Sequence, residues 1–197
     1  MTAVKHEITR ADILPMVDYA RLRQARRAEM LGKKRNRRME IGPVATAHFE
    51  NYETMWHQVH EMLFIEKGGE DQVAGELEAY NPLIPKGREL VATVLFEIDD
   101  PERRRAFLSR LGGVEETMFM ALGGAGIMAV PEADLDRTTA AGKASAVQFV
   151  HFPFTDAQVE TFRRPGTEII LGFKHPTYTH QAVMPEPVRA VLAADFD

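Results

Sequence analysis

Helix-like and strand-like segments are intermixed along the whole of this chain, with glycine and proline at many of the breaks between them. Apolar, β-branched and aromatic residues predict strands over 39–41, 44–49, 90–98, 116–122, 126–130, 145–154, 167–173 and 181–184. The pair 116–122 and 126–130 is typical of a hairpin around glycines. The intermixed elements therefore predict an α+β fold with a mostly antiparallel sheet.

Helical periodicity accounts for most of the rest of the chain. It predicts helices over 12–37, 51–67, 71–79, 101–110, 131–137, 155–163 and 185–194. The inward-facing side chains expected on the long first helix are Leu14, Val17, Leu22, Ala25, Ala28 and Leu31. The segment from Asn81 to Gly87 contains two prolines, which forbid a helix and predict a rigid loop.

Length and composition set the broad class. A chain of 197 residues fits one domain, taken as 1–197, with the basic helical segment 1–38 as part of it. The absence of cysteine excludes disulfides, thiolate nucleophiles and cysteine-held zinc or iron–sulfur centres. No apolar run approaches the ~20 residues that span a bilayer. The N-terminus also lacks a hydrophobic signal segment, so no membrane association and a cytoplasmic location are expected.

Charge is distributed unevenly. Residues 21–38 carry nine basic side chains and one acidic one, although the whole chain has a net charge of −5. Such a block attracts acidic partners, and the predicted partner-binding residues are Arg26, Arg27, Lys34, Arg35 and Arg38. The alternative is a solvated helix face that pairs with the protein's own acidic surface. Nucleic acid is disfavoured, because the rest of the chain is acidic and no recognition module is present.

The stretch 48–66 carries three histidines and four glutamates, groups that bind metals and move protons. His57 and Glu61 are four residues apart and so lie one turn apart on a helix. They could ligate one metal ion or form an ordinary surface pair. Glu66 is expected on the apolar face of the same helix. Either the helix frays there, or Glu66 meets a buried cation such as an arginine or a metal.

Several motifs together resemble the bacterial domain-of-unknown-function 3501 family. The matching segments include Glu61-Met62, Ile65-Glu66, Tyr80-Asn-Pro-Leu-Ile-Pro85, Leu111-Gly-Gly-Val-Glu115, His175-Pro176 and Tyr178. The resemblance implies that the protein is associated with rubrerythrin-like, iron–sulfur or flavin oxidoreductases. It therefore implies a role for the protein in redox or iron metabolism. The chain departs from the family pattern at Gln148, often histidine, at His151, often arginine, and at His57, often aromatic.

Two functional hypotheses follow. The first is a metal-dependent oxidoreductase or hydrolytic protein, whose predicted ligands are His57, Glu61, His151 and His175. Nitrogen and oxygen ligands without sulfur suit iron, manganese or zinc, and no nucleotide, flavin or iron–sulfur motif is present. The candidate pocket around them consists of Glu50, Thr54, Gln58, Glu66, Tyr80 and Tyr178. The second hypothesis is a non-catalytic subunit that docks on a redox protein through the basic helix, with homo-oligomerisation as a further mode of assembly.

Overall fold

Two antiparallel sheets form the frame of the structure, a computed structural model that describes residues 5–132 and 143–197. The strands are β1 (Arg38–Ile41), β2 (Ala45–Glu50), β3 (Glu89–Phe96), β4 (Met118–Leu122), β5 (Ala125–Met128), β6 (Val130–Pro131), β7 (Val147–Pro153), β8 (Ile169–Phe173) and β9 (Gln181–Val183). The first sheet has the order β1-β2-β3-β7-β6, and the second has the order β5-β4-β8-β9. All pairings between these strands are antiparallel.

Six α-helices complete the described part of the chain. They are α1 (Met16–Arg35), α2 (Tyr52–Glu66), α3 (Glu70–Tyr80), α4 (Pro101–Leu108), α5 (Asp156–Arg163) and α6 (Glu186–Leu192). The predicted α+β class with antiparallel sheets is confirmed. The predicted helix over 131–137 falls almost entirely outside the described residues. No helix within 5–132 or 143–197 combines the length and apolarity needed to cross a membrane.

The main core lies between the two sheets. Side chains alternate across each strand, so Ala92 of β3 and Val150 of β7, which pair in register, both point inward. They pack in the same buried cluster as Phe152 of β7 and as Met120 and Leu171 of the second sheet. The period-two burial of these strands is the reason the sheets pack face to face.

A smaller helical layer covers the outer face of the first sheet. Val91 of β3 points to this side and packs in one buried cluster with Met55, Val59 and Leu63 of α2. Helix α2 begins at Asn51, whose side chain accepts a hydrogen bond from the backbone N–H of Thr54, as an N-cap does. Helix α1 lies on α2, farther from the sheet.

Helix α1 does not present the predicted inward face. Its buried side chains are Tyr19 and Met30, whereas Val17 is 67% exposed and Leu31 is 78% exposed. Leu22, Ala25 and Ala28 are also exposed. Tyr19 sets the rotation of α1 about its axis, because its large aromatic ring is buried among side chains of α2. The apolar stripe identified in the sequence therefore faces away from the core.

A buried ion pair joins the helical layer to the C-terminus. The guanidinium of Arg37, which follows α1, pairs with the carboxylate of Asp195, and both are almost fully buried. Arg37 also donates hydrogen bonds to the carbonyl oxygens of Phe49 at 3.0 Å and Glu50 at 3.2 Å. These contacts fix the end of α1 against β2.

Candidate functional site

A chain of polar side chains connects α1 to α2. The hydroxyl of buried Tyr19 donates a 2.8 Å hydrogen bond to Oε1 of Glu61. Arg23 donates to both carboxylate oxygens of Glu61, at 2.8 and 2.9 Å. Nδ1 of His57 lies 3.3 Å from the Tyr19 hydroxyl oxygen. Each helix supplies two residues four positions apart, which places both pairs on facing surfaces.

The protonation states follow from the surroundings. The hydrogen bonds from Arg23 outweigh partial burial and lower the pKa of Glu61, so that carboxylate stays ionised. Burial raises the pKa of Tyr19, and Glu61 raises it further, so the phenol keeps its proton. Burial lowers the pKa of His57 below its ordinary value, which makes the imidazole neutral at pH 7.

The same contacts select one tautomer of His57. The O–H group of Tyr19 donates its hydrogen bond to Glu61. The phenol oxygen can therefore only accept a hydrogen bond from Nδ1 of His57. Nδ1 therefore carries the proton and donates it. Nε2 is left with its lone pair, as a hydrogen-bond acceptor or a weak base.

His57 lines a cleft between α1, α2 and the N-terminal segment. The cleft has a volume of about 310 Å³. Its charged lining residues are Lys5, Asp12, Arg26, Glu29, Lys33 and Glu53. Trp56, Tyr52 and Met30 provide its apolar surface. This volume lies at the lower end of the range for small-molecule sites, and the lining is more highly charged than is usual for them.

The indole of Trp56 and the imidazole of His60 hold the N-terminal wall of the cleft in place. Trp56 donates from Nε1 to the carbonyl oxygen of Asp12 at 2.9 Å. The backbone N–H of Leu14 donates to Nε2 of His60 at 3.1 Å, and Nδ1 of His60 contacts the Trp56 carbonyl oxygen at 2.7 Å. Both nitrogens of this fully buried imidazole are therefore occupied, and its role is structural.

The four predicted metal ligands lie at three separate places in the structure. Glu61 and His57 belong to the hydrogen-bond chain described above, whereas His175 contacts the Gly112 carbonyl oxygen at 3.2 Å. His151 lies on β7, with carboxylates at both of its ring nitrogens. Among the described residues, no group of three or more histidine, aspartate and glutamate side chains is arranged to hold a metal ion. The structure therefore does not bring the four predicted ligands together.

His151 forms a second charged cluster. Its Nδ1 lies 3.0 Å from Glu89 and its Nε2 lies 2.9 Å from Glu132. Burial opposes charging of His151, but the hydrogen bonds to both carboxylates outweigh it and raise the pKa of the imidazole. Burial also opposes ionisation of Glu89, and contacts led by His151 nevertheless lower its pKa. The cluster is an imidazole whose charged form is stabilised by a carboxylate at each ring nitrogen.

The predicted pocket residues do not share one pocket either. Glu50 is buried and accepts a 2.8 Å hydrogen bond from Thr93. Thr54 takes part in the cap of α2. Gln58 faces Tyr80 at the end of α3, where burial raises the pKa of the phenol and Gln58 partly offsets that rise.

The other two predicted pocket residues also have structural roles. Tyr178 is buried with the main core, and its hydroxyl donates to the carbonyl oxygen of Ile41. Glu66 is exposed rather than on an apolar face, because α2 ends there at Lys67, which is left-handed with φ 57°. Gln72 donates to Glu66 at 2.8 Å, so no buried cation is needed to explain this carboxylate.

The predicted partner-binding residues are also distributed unequally. Arg38 lies on β1 and pairs with Glu40 at 3.0 Å. Arg26 lies 5.3 Å from the centre of the Trp56 ring and belongs to the cleft. Arg27 and Arg35 are exposed, and neither they nor half-buried Lys34 has an ion-pair partner among the described residues. These three cations are free to meet another molecule.

A groove lies beside α1, on a different flank of the helix from the cleft. It has a volume of about 400 Å³ and is lined by Ala20, Arg23, Gln24, Arg27 and Phe64. The guanidinium of Arg23 lies 4.6 Å from the centre of the Phe64 ring, which forms the apolar floor. The next residue along α2, Ile65, is 60% exposed. We call the outer side of α1 together with this groove the docking face.

These features define an α+β protein with two antiparallel sheets and a two-helix layer that carries a polar chain, a cleft and an exposed basic face. A family model described as "Protein of unknown function (DUF3501)" matches residues 7–196. The chain therefore belongs to the DUF3501 family, as its motifs predict.

The chain is very similar to a protein of known structure. That structure is described as the crystal structure of a novel protein of unknown function from Burkholderia pseudomallei K96243 at 1.90 Å resolution. It has a TM-score of 0.89 and 37% sequence identity, and the match covers 96% of this chain and 99% of the other. No curated protein matches the chain. The architecture is thus shared by a relative whose printed description assigns no activity.

Proposed function

We propose that this protein is a docking subunit that binds an acidic partner protein through the docking face. The observation that carries the proposal is the orientation of α1, a helix of 20 residues with only two buried side chains. It exposes large apolar side chains together with unpaired arginines. Exposed apolar residues surrounded by polar ones are typical of interaction sites.

Some of the exposed residues of α1 form a stripe along the helix, in which apolar side chains lie on either side of Gln24. Val17, Gln24 and Leu31 are separated by seven residues each, so they lie almost in line along the helix. Exposed Ala20 and Ala28 lie in the same stripe between them. Small residues at such positions allow another helix to approach closely. The stripe therefore fits an amphipathic helix of the partner.

The charges at the edge of the stripe determine the chemistry of that partner. Arg21 and Arg27 flank the stripe and Arg35 follows it; all three are exposed, and Arg21 pairs with Asp18 at 3.2 Å. Acidic side chains on the partner would complement them and speed association. Pairing of α1 with α1 of a second copy is disfavoured, because each α1 carries seven basic and two acidic side chains.

The family resemblance suggests an oxidoreductase as the partner, in redox or iron metabolism, and we retain this as part of the proposal. A metal-dependent activity of the chain itself receives less support. Its predicted ligands lie at three separate places, and the described residues offer no group of three metal ligands. The docking face, by contrast, offers exposed cations, Arg27 and Arg35, that have no ion-pair partner among the described residues.

The proposal is tested by reversing two charges on the docking face. Arg27→Glu with Arg35→Glu is compared with a control, Arg103→Glu with Arg105→Glu, which reverses two exposed arginines on α4. Each tagged protein is expressed at native level in the source organism. Co-purifying proteins are identified by mass spectrometry, and the affinity for the leading acidic partner is then measured at several salt concentrations.

We expect the wild type and the control to retain the same acidic partner. The docking variant should bind it more weakly by about tenfold or more, and high salt should reproduce that loss. Circular dichroism checks that the variant is folded. Equal affinity of the docking variant, binding that is insensitive to salt, or association with a second copy alone would each overturn the proposal.

A further inference from the structure

We propose that the cleft between α1 and α2 binds a small zwitterion of the amino-acid class, whose ammonium group donates a hydrogen bond to Nε2 of His57. This inference does not rest on the docking proposal, because none of its observations involves a partner protein. Three features of the cleft carry it: the tautomer of His57, the balance of charges, and the aromatic surface.

His57 supplies a directed acceptor. Its Nδ1 is used by the contact with Tyr19, and no side chain or backbone group among the described residues bonds to its Nε2. Tyr19 in turn is fixed by Glu61, which Arg23 holds with two hydrogen bonds. A neutral imidazole in this tautomer accepts a hydrogen bond from an amine and cannot donate one through Nε2. The acceptor is therefore preorganised for a donor group.

The charges of the cleft are balanced. Its lining includes the cations of Lys5, Arg26 and Lys33 and an equal number of carboxylates. A ligand of one sign would be attracted by half of these groups and repelled by the other half. A ligand with a carboxylate and an ammonium group can be oriented so that both are attracted. The amine end is then expected on the side of His57 and Glu53.

The charged side chains can exchange partners. Lys33 contacts Glu29 at 2.9 Å and Glu53 at 2.7 Å, and Arg26 contacts Glu29 at 3.1 Å. All four side chains are between about one third and one half exposed, so none is sealed in its present pair. A ligand carboxylate can replace one glutamate beside Lys33 or Arg26 without leaving a buried charge unpaired.

The apolar wall limits the size of the ligand. Trp56 and Met30 form a surface on which an aliphatic or aromatic side chain can lie. A cleft of about 310 Å³ is at the small end of the range for metabolite sites. A free amino acid fits this space better than a cofactor or a nucleotide does.

The test is an NMR titration of the full-length protein. The chain has one tryptophan, so the indole N–H of Trp56 gives a single assigned signal at the cleft. The probes are the twenty standard amino acids in pools, with propionate and ethylamine as ligands that carry only one charge. We expect at least one amino acid to shift the indole signal with saturation, and the single-charge probes to bind about tenfold more weakly.

Variants identify the role of His57. His57→Ala should weaken binding about tenfold, and His57→Gln, whose amide oxygen reaches a similar position to Nε2, should restore part of the affinity. His180→Ala is the control, since it removes an exposed histidine far along the chain from α1 and α2. Tyr19→Phe removes the acceptor for Nδ1–H. Two-bond ¹H–¹⁵N spectra should then show loss of the Nδ1–H tautomer, an effect that a purely structural role for Tyr19 would not produce.

Three results would each overturn the inference. They are the absence of any indole shift with all twenty amino acids at millimolar concentration, equal affinity for propionate or ethylamine, and unchanged binding by His57→Ala. Because the titration contains no partner protein, its outcome does not depend on whether the docking proposal is correct.

Discussion

The two faces of the first sheet are built in different ways. The inner face packs against the second sheet through an almost entirely apolar cluster. The outer face has a much smaller apolar cluster, and it is supplemented by polar contacts such as Tyr19 to Glu61 and Trp56 to Asp12. Apolar area carries most of the folding free energy. The inner face therefore stabilises the fold, whereas the helical layer places polar groups where other molecules can reach them.

The largest effect is expected on the inner face. Phe152→Ala removes a fully buried ring between the sheets and should lower the free energy of unfolding by about 4 kcal/mol. Urea denaturation measures the change. Val183→Ala, at a position that is exposed on β9, should change it by less than about 0.5 kcal/mol. Similar losses for the two variants would contradict the location of the core.

The next effect is expected where the two regions meet. Arg37→Met should cost about 3 kcal/mol, because it leaves the carboxylate of Asp195 buried without its cation. Burial raises the pKa of Asp195 even though Arg37 lowers it. The loss in Arg37→Met should therefore be largest at pH values where Asp195 is ionised. Adding Asp195→Leu to Arg37→Met should recover part of the loss. Asp195→Leu alone completes the cycle, and a loss in the double variant equal to the sum of the two single losses would show that the groups are not coupled.

A smaller loss is expected in the helical layer. Val59→Ala should lower the free energy of unfolding by about 2 kcal/mol, since Val59 is fully buried but belongs to the smaller cluster. Hydrogen exchange distinguishes the regions. Amides of α1 and α2 should exchange faster in the variant, while those of β3 and β7 keep their protection. Uniform acceleration over the whole protein would show that the two layers open together.

The smallest effect is a dependence on pH at His151. The raised pKa of this imidazole means that its stabilising contribution is complete below the ordinary value of 6.5 and is lost as the pH rises through the folded-state pKa. The lowered pKa of Glu89 gives a contribution that is complete above 4.5 and is lost as the pH falls through its folded-state pKa. The cluster therefore stabilises most between these two ordinary values.

His151→Gln provides the measurement. The difference in unfolding free energy between wild type and variant should be largest between pH 4.5 and 6.5 and should shrink in more alkaline buffer. His175→Gln serves for comparison, because His175 contacts Gly112 and Thr177 rather than a carboxylate. A difference that does not vary with pH would show that His151 is neutral in the folded protein.

Local signals in the sequence predict most of the fold. Period-two patterns locate the strands, and Asn51, Asp100 and Thr155 cap the helices that follow them. The predicted hairpin is present as β4 and β5. The orientation of a helix relative to the core is harder to predict from the sequence. The stripe from Val17 to Leu31 has the spacing of a buried face, and periodicity alone cannot show which side of a helix meets the rest of the protein.

The site is less predictable than the fold, because its contacts are distant in the sequence. His57 and Glu61 are marked by their spacing, but Arg23, their partner from α1, is one of nine basic residues in its segment and carries no distinguishing signal. Glu89 and Glu132 meet His151 only through the pairing of three strands. A histidine and a glutamate in a sequence do not reveal whether they will meet a metal ion, an arginine or each other.

Helix α1 forms a wall shared by two open spaces. Arg23 lines the groove and Arg26, one turn later, lines the cleft. A molecule that tilts or rotates this helix from one side must change the shape of the other side. Thermodynamic linkage then requires equal coupling in both directions, so a small metabolite and a protein partner would each alter the affinity for the other by the same factor. The position of a single helix would thus let the protein report metabolite levels through its state of assembly.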